Sequence, residues 1–251
     1  MTSRLLTCLL IWPLLSGGDS AAQSGPSAPD DSAVHYTIGR GTVLYSTSDS
    51  TRPYLELGMR EPVWVIENRG RWARVRTRDG AHGLLKASEI SNVWIRISKS
   101  KQTVFVYRGD LLVARIPADL GHNFFADKEK RGNENEPDHW RTPEGVFHVV
   151  SKNPQSQFHK AFVLNYPNVE DAERGLRARL ISDTDYQSIV AANRSFAVPP
   201  MGTPLGGWIE VHGRGTGQRS NWTQGCVAIP DTDMDRLWDS IHVGTPVVIE
   251  R

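Results

Sequence analysis

The chain has 251 residues, of which 39% are hydrophobic and 23% are charged, with a formal net charge of +1. This composition is that of an ordinary folded protein and excludes wholesale disorder. Because the charge is nearly balanced, the composition gives no reason to expect a nucleic acid or an anionic membrane as the partner. The length is sufficient for one large domain or two smaller ones.

Residues 1–22 have the pattern of a secretory signal peptide. Arg4 supplies the positive charge, residues 5–15 form an apolar run, and residues 20–22 are small, which predicts cleavage before Gln23. The apolar run is too short for a permanent membrane-spanning helix. An uncleaved anchor is the alternative. We therefore expect an exported protein with no stable membrane insertion after cleavage.

Two segments follow the predicted signal. Residues 23–33 contain two prolines and no hydrophobic period, and they predict a disordered linker. Residues 34–91 alternate short apolar runs with turns such as Asn68-Arg69-Gly70, which is typical of β-hairpins. The pattern of residues 70–76, followed by Gly83-Leu84-Leu85, resembles a bacterial Src-homology-3-like domain, which implies a small barrel.

The same segment carries five arginines spaced along its hairpin. They favour either contact with an anionic cell-wall polymer or peptide or, as the alternation alone predicts, a solvent-exposed strand face. These residues are Arg69, Arg71, Arg74, Arg76 and Arg78.

Residues 92–251 predict a second domain that is mainly β, with a few short helices. Residues 121–140 are highly charged and almost devoid of regular pattern, so they form either a mobile lid or an inert polar loop. Strands are predicted at 93–97, 102–107, 111–116, 145–150, 161–164, 207–211 and 246–249, and helices at 185–191 and after Pro230, where Asp231 or Thr232 is the expected cap.

Cys226 is the only cysteine that remains once the predicted signal is removed, so it has no disulfide partner within the exported chain. His212 ends a predicted strand upstream of it, and a neighbouring imidazole can take the proton of a thiol and later protonate a leaving group. Backbone N–H groups at the Gly225 turn would face an oxyanion. The pattern predicts a nucleophilic cysteine; an inert buried thiol and an intermolecular disulfide are the alternatives.

His212-Gly213, followed by Thr223-Gln224-Gly225-Cys226-Val227, resembles the signature of the L,D-transpeptidase family. Residues 142–147, Thr-Pro-Glu-Gly-Val-Phe, resemble a second segment of that family. The resemblance covers residues 92–251. It implies that Cys226 is the nucleophile, that His212 is the general base and acid, and that the Gly213 carbonyl orients His212.

The resemblance also implies the reaction and its location. The thiol attacks the amide carbonyl of a diamino-acid residue in a peptidoglycan stem peptide, and an amine of a second stem resolves the acyl-enzyme. If water resolves it, the enzyme is a hydrolase. Carbapenems are implied as acylating agents, and the cell wall or periplasm as the location.

Two positions depart from the family pattern. Gln224 stands where many members have histidine, and Ala228 where many have arginine or asparagine. The segment from Trp222 instead resembles a subgroup that contains both transpeptidases and enzymes that cut a lipoprotein from peptidoglycan. Cross-linking and cutting therefore both stay open, a wall-linked lipoprotein is a further candidate partner, and a non-catalytic wall-binding protein is a third alternative.

Several side chains near the motif are candidate substrate contacts. Arg214, Arg219 and Asn221 lie between the predicted base and nucleophile, where a solvated loop is the alternative to contact with a stem-peptide carboxylate. Tyr166 either lines the cleft or packs in the core. Thr223 and Gln224 belong to the turn itself. The scattered histidines, without metal-binding motifs, predict no metal and no cofactor.

Overall fold

The computed structural model describes residues 34–251, and within this range the chain is mainly β, with three α-helices. This confirms the predicted fold class. The predicted signal at 1–22 and the linker at 23–33 lie outside the described residues. No helix in the described part is long and apolar enough to cross a membrane.

The first seven strands form one antiparallel sheet in the order β3-β2-β6-β5-β4-β1-β7. Successive side chains of a strand point to opposite faces, and this alternation builds the core of the sheet. In β5, Ala73 and Val75 are buried, whereas Arg74 and Arg76, which alternate with them, are not. The strands are β1 (Val34–Thr37), β2 (Thr42–Tyr45), β3 (Pro53–Leu57), β4 (Pro62–Arg69), β5 (Trp72–Thr77), β6 (His82–Lys86) and β7 (Ile90–Ser91).

The remaining strands form an eight-stranded mixed sheet in the order β10-β9-β8-β17-β12-β13-β14-β16, and β11 pairs with β15 beside it. Their inward side chains build the larger hydrophobic core. The strands are β8 (Val93–Ser98), β9 (Thr103–Arg108), β10 (Leu111–Pro117), β11 (Leu120–Gly121), β12 (Gly145–Ser156), β13 (His159–Leu164), β14 (Glu210–His212), β15 (Asn221–Thr223), β16 (Val227–Ala228) and β17 (Pro246–Glu250).

The two sheets touch through Tyr36 of β1. Its hydroxyl donates to the carbonyl of Val93 at 2.6 Å and lies 3.3 Å from the Thr245 hydroxyl. The Arg40 guanidinium also donates to the carbonyl of Phe196 at 3.0 Å. Hydrogen bonds therefore join the first sheet to the second.

The helices differ in detail from the sequence prediction. The helix predicted at 185–191 is α2 (Asp183–Arg194), and α1 (Val169–Arg177) precedes it. Each begins with a capping box, Asn168 with Asp171 and Ser182 with Asp185. The Asn-x-x-Asp spacing before α1 was a sequence signal for a helix that the prediction missed.

The last helix begins where it was predicted but has a different cap. α3 (Asp231–Leu237) follows Pro230, which is its N-cap and makes no side-chain capping bond. The expected cap, Asp231, instead accepts a hydrogen bond from the backbone N–H of Arg214 at 2.6 Å. The predicted capping role of Asp231 is therefore wrong, because its carboxylate holds the loop after β14.

The charged segment 121–140 is tied to its neighbours in this structure. The Arg131 N–H donates to the Pro204 carbonyl at 2.8 Å. The buried Lys99 ammonium donates to the carbonyls of Ala126 and Thr142, at 2.6 and 2.9 Å. The segment also contains a short 3₁₀ turn, Pro137–His139. These bonds fix the segment along the edge of the site described next.

Candidate active site

Two short parallel strands form the floor of the site. β14 and β16 pair with Val211 opposite Val227, and both valines are fully buried. Successive side chains of a strand point to opposite faces. Glu210 and His212 therefore share the face that does not enter the core, and Cys226, just before β16, is opposite Glu210 on that face.

His212 is held in one tautomer by its neighbour. Its Nδ1 lies 2.7 Å from the Gly213 carbonyl oxygen, which only accepts, so Nδ1 carries the hydrogen and Nε2 is left to accept a proton. The ring stacks on Phe158 at 4.3 Å. Burial lowers the pKa of His212, while the Gly213 hydrogen bond and the charge of Asp119 act in the opposite direction. The imidazole is therefore neutral at neutral pH.

The Cys226 thiol rests in its protonated form. Sγ donates to the Trp208 carbonyl at 3.3 Å. Burial raises the pKa of Cys226 to about 12, and the Glu210 carboxylate adds to the rise, while the Lys128 charge opposes it. Trp208 has φ of 55°, which a bulky residue seldom adopts. A strained residue thus presents the carbonyl that accepts the thiol hydrogen.

The turn before Cys226 is closed by Thr223. The Thr223 hydroxyl donates to the Cys226 carbonyl at 2.7 Å and accepts from the Gly225 N–H at 3.2 Å. Gly225 has φ of 131°, and a Cβ there would lie 2.6 Å from the Arg141 carbonyl oxygen. The Gly225 N–H, predicted as an oxyanion donor, is therefore already occupied. Within residues 34–251 the Cys226 N–H donates to no acceptor.

A cavity of about 870 Å³ opens over these strands. Of the side chains predicted from sequence, four line it: His212, Thr223, Gln224 and Cys226. The other lining residues are Lys128, Arg131, Gly132, Trp140, Asn153, Ser156, Gln157, Phe158, Gly206, Gly207, Trp208, Ile209, Glu210 and Trp222. The cavity joins the predicted base and nucleophile to a peptide-sized space.

Four predicted substrate contacts lie elsewhere. Tyr166 is fully buried, and its hydroxyl donates to the Leu205 carbonyl at 2.9 Å, so it packs in the core. The Asn221 side-chain oxygen accepts from Gln102. Arg219 borders a different cavity, and Arg214 is an exposed residue of the loop after β14. Tyr166, Asn221, Arg214 and Arg219 therefore do not line the cavity over Cys226, and their contact with the substrate stays a prediction.

Asp119 organises the loop between His212 and Cys226, and no motif in the sequence pointed to it. Its fully buried carboxylate accepts from the N–H and hydroxyl of Thr216, the Ser220 N–H and the Trp222 indole, at 2.6–2.9 Å. Burial alone would raise its pKa, but the hydrogen bonds from Thr216, Trp222 and Ser220 outweigh that effect, so the pKa of Asp119 lies below its usual value.

The charged segment supplies one wall of the cavity. Lys128, Arg131 and Trp140 all line it, while the choice between a mobile lid and an inert loop stays a prediction. Lys128 is only 4% exposed, and burial lowers its pKa to about 8. Across residues 34–251 there is no cluster of three or more histidine, cysteine or acidic side chains that would suit a metal ion.

Comparison with known proteins gives one family match. Residues 92–249 match the YkuD family, the L,D-transpeptidase catalytic domain. No curated protein matches the chain.

Among solved structures, the chain is similar to Bd1075 of Bdellovibrio bacteriovorus, with 20% identity and a TM-score of 0.38 over 63% of this chain and 47% of that one. An L,D-transpeptidase from Xylanimonas cellulosilytica shares 18% identity, with a TM-score of 0.37 over 63% and 60% of the two chains. One from Mycobacterium smegmatis shares 16%, with a TM-score of 0.36 over 72% and 67%. The match thus spans less than two thirds of the first two proteins.

Proposed function

The chain belongs to the L,D-transpeptidase (YkuD) catalytic-domain family through residues 92–249, and from this premise we propose that it is an exported enzyme that transfers peptidoglycan stem peptides through a Cys226 acyl-enzyme. The observation that carries the proposal is the fixed tautomer of His212. With Nδ1 bonded to the Gly213 carbonyl, Nε2 is the proton acceptor, on the same strand face as the thiol.

The first half of the reaction uses both side chains. The His212 Nε2 takes the proton of the Cys226 thiol, and the sulfur attacks the scissile amide carbonyl. The carbonyl oxygen becomes an oxyanion, for which the Cys226 N–H is the open donor in the turn. The imidazolium then gives its proton to the leaving amine, the C–N bond breaks, and a thioester to Cys226 remains.

The second half reverses these roles. An acceptor attacks the thioester carbonyl, His212 takes the acceptor's proton, and the sulfur leaves and recovers it. Glu210 supports an amine rather than water as the acceptor, because its half-buried carboxylate lines the cavity opposite Cys226 and attracts an ammonium group. Hydrolysis of stem peptides, or release of a wall-linked lipoprotein, follows from the same thioester when water is the acceptor.

The site must remove a proton from a thiol whose pKa is high. With the pKa of Cys226 raised to about 12 by burial, almost no thiolate forms alone at neutral pH. Substrate binding that displaces the thiol from the Trp208 carbonyl would free the hydrogen for His212. The proposal therefore requires transfer to His212 together with attack, rather than a standing thiolate.

Residues 34–91 are proposed as a Src-homology-3-like domain that precedes the catalytic domain at 92–251. Several of its arginines are already engaged, since Arg76 lies over the Trp64 ring at 4.7 Å and Arg74 pairs with Glu67 at 3.4 Å. A solvent-exposed strand face accounts for these contacts without a polymer ligand. The proposed location, periplasmic or associated with the cell wall, depends on the predicted signal peptide.

Purified muropeptides, with and without bound lipoprotein, test the proposal. The protein is incubated with each, and the products are separated and identified by mass. Cross-linked dimers support the transpeptidase, whereas freed stem peptide or lipoprotein supports the hydrolase. Unchanged muropeptides, from a protein that binds them, would support a non-catalytic wall-binding protein and contradict both enzymes.

A further inference from the structure

Lys128 is a buried cation with too few partners. It is 4% exposed, and its ammonium makes one long hydrogen bond, to the His139 carbonyl at 3.3 Å. Within residues 34–251 no carboxylate lies within ion-pair distance of it. An ammonium has three N–H donors, and a buried charge is costly unless it is paired.

The nearby Lys99 shows what a satisfied buried lysine looks like in the same molecule. Its ammonium, also buried, donates to the Ala126 and Thr142 carbonyls and to the Glu144 carboxylate, at 2.6, 2.9 and 2.8 Å. Three donors thus have three acceptors, one of them charged. Lys128 differs in that it lines the cavity beside Cys226, so two of its donors are left for whatever occupies that space.

The surroundings hold the Lys128 side chain in place. Gly206, with φ of 95°, packs beside it, since a Cβ there would be in van der Waals contact with the Lys128 Cε at 3.4 Å. Arg131 adds a second positive charge to the same wall and is itself fixed, donating to the Met201 carbonyl at 2.7 Å. Glu210 is the only acidic side chain that lines the cavity in the described residues. The wall of Lys128 and Arg131 is therefore positive, and although the charge of Asp127 acts on Lys128, no carboxylate of residues 34–251 forms an ion pair with it.

The thiol of Cys226 does not fill this role in the resting protein. It is protonated and donates to the Trp208 carbonyl, so it brings no negative charge to Lys128. A thiolate would also be consumed on acylation, which would leave the ammonium uncompensated for the life of the thioester. An anion on the substrate compensates Lys128 through the whole reaction.

We propose that Lys128 binds a carboxylate of the peptide substrate next to the scissile amide, and so selects acidic donor peptides. This rests on the proposed function and names the chemistry that the site recognises. Two carboxylates of a stem peptide would fit: the free C-terminus of the leaving residue, and the second carboxylate of a diamino residue that carries one. Charge-assisted hydrogen bonds are about twice as strong as neutral ones, which makes one such contact sufficient for selection.

The test compares three tetrapeptides that differ only in charge. The first has both carboxylates free, the second has a C-terminal carboxamide, and in the third the side-chain carboxylate of the diamino residue is converted to a carboxamide. For the wild-type protein, we expect kcat/KM to fall about 10- to 100-fold on amidation of the recognised group and little on amidation of the other. In Lys128→Met the ratio of kcat/KM between free and amidated peptides is expected to approach 1, and Lys128→Arg is expected to restore part of it.

Lys130→Met is the matched control. Lys130 lies two residues away on the same segment, pairs with Glu136 at 2.8 Å and does not line the cavity. Its substitution removes the same charge, so the variant should keep the wild-type ratio. A lost ratio in this variant would mean that net charge, not Lys128, gives the selection, and would overturn the proposal.

Two further outcomes would also overturn it. Equal kcat/KM for all three peptides in wild type means that no carboxylate is recognised. An equal loss for all three in Lys128→Met, with an altered pH profile of Cys226 alkylation, means that Lys128 acts on the thiolate. In both cases a peptide-derived mass on Cys226 leaves the proposed function intact. No such mass with any peptide, from a folded protein, refutes the proposed function itself.

Discussion

The Asp119 carboxylate accepts four hydrogen bonds from the loop that joins His212 to Cys226, although it lies 97 to 103 residues upstream of its donors. Asp119→Asn keeps the shape but converts one oxygen to an NH₂ group. Two of the four donors then face a donor. Hydrogen bonds to charged groups are each worth about 1.5–3 kcal/mol, so we expect a loss of about 3–6 kcal/mol in the free energy of unfolding.

The loss is measured by urea unfolding of Asp119→Asn and wild type, with Asp110→Asn as the control. Asp110 is an exposed turn residue between β9 and β10, and its substitution should change stability little. The rate at which a reagent alkylates Cys226 should also change in the Asp119→Asn variant. Asp119 holds the Trp222 indole at 2.9 Å, and that ring lies 6.1 Å from the His212 ring.

The pH dependence has a definite sign. The folded pKa of Asp119 lies below its usual value, so its contribution to stability is present above the unfolded pKa, about 4, and is lost as pH falls through the folded pKa. Because Asp119→Asn has no such carboxylate, its stability should fall less than that of wild type as the pH is lowered through this range. Equal stability of variant and wild type at pH 7, with the same acid midpoint, would refute the assigned role of Asp119.

Three more substitutions probe the site. His212→Ala removes the proposed base, so acylation by stem peptide should fall by about 10²–10⁴-fold in a stopped-flow or mass assay; an unchanged rate would exclude the base role. Gly225→Ala forces a side chain into φ of 131° and against the Arg141 carbonyl. It should lower stability by at least about 1–3 kcal/mol in thermal unfolding, and wild-type stability would contradict the requirement for glycine in this turn. Glu210→Gln removes the charge that helps raise the pKa of Cys226, so below that pKa the thiolate fraction should rise about tenfold per unit of lowered pKa; alkylation should accelerate by less than this factor, because a thiolate of lower pKa is a weaker nucleophile. A slower rate would contradict the sign of that interaction.

Local patterns in the sequence carried the predictions that succeeded. Alternation between apolar and polar residues predicted the mainly β fold, because the residues of each strand show which of its faces is buried. In β5, for example, every second residue is buried. His212 and Cys226 lie at two short paired strands, β14 and β16, that are close together in the sequence, so their placement too depends on nearby residues. The roles assigned to both side chains stay predictions.

Residues whose roles depend on distant pairing escaped prediction. Asp119 meets its partners where β11 pairs with β15, and Lys128 lies in a segment that Arg131 ties to the distant Pro204 carbonyl. Neither residue lies in a motif. Tyr166 does not line the cavity, because its side chain is fully buried and its hydroxyl donates to the Leu205 carbonyl, as the core alternative predicted.

The central claim is that Cys226 carries the acyl group, and intact-protein mass spectrometry after incubation with a stem tetrapeptide tests it directly. Wild type should gain the mass of the peptide acyl fragment, and digestion should locate the gain on the fragment that contains Cys226. Cys226→Ala should fold normally by circular dichroism and show no gain. An adduct of the same mass in Cys226→Ala, or none in the wild-type protein, would contradict the claim.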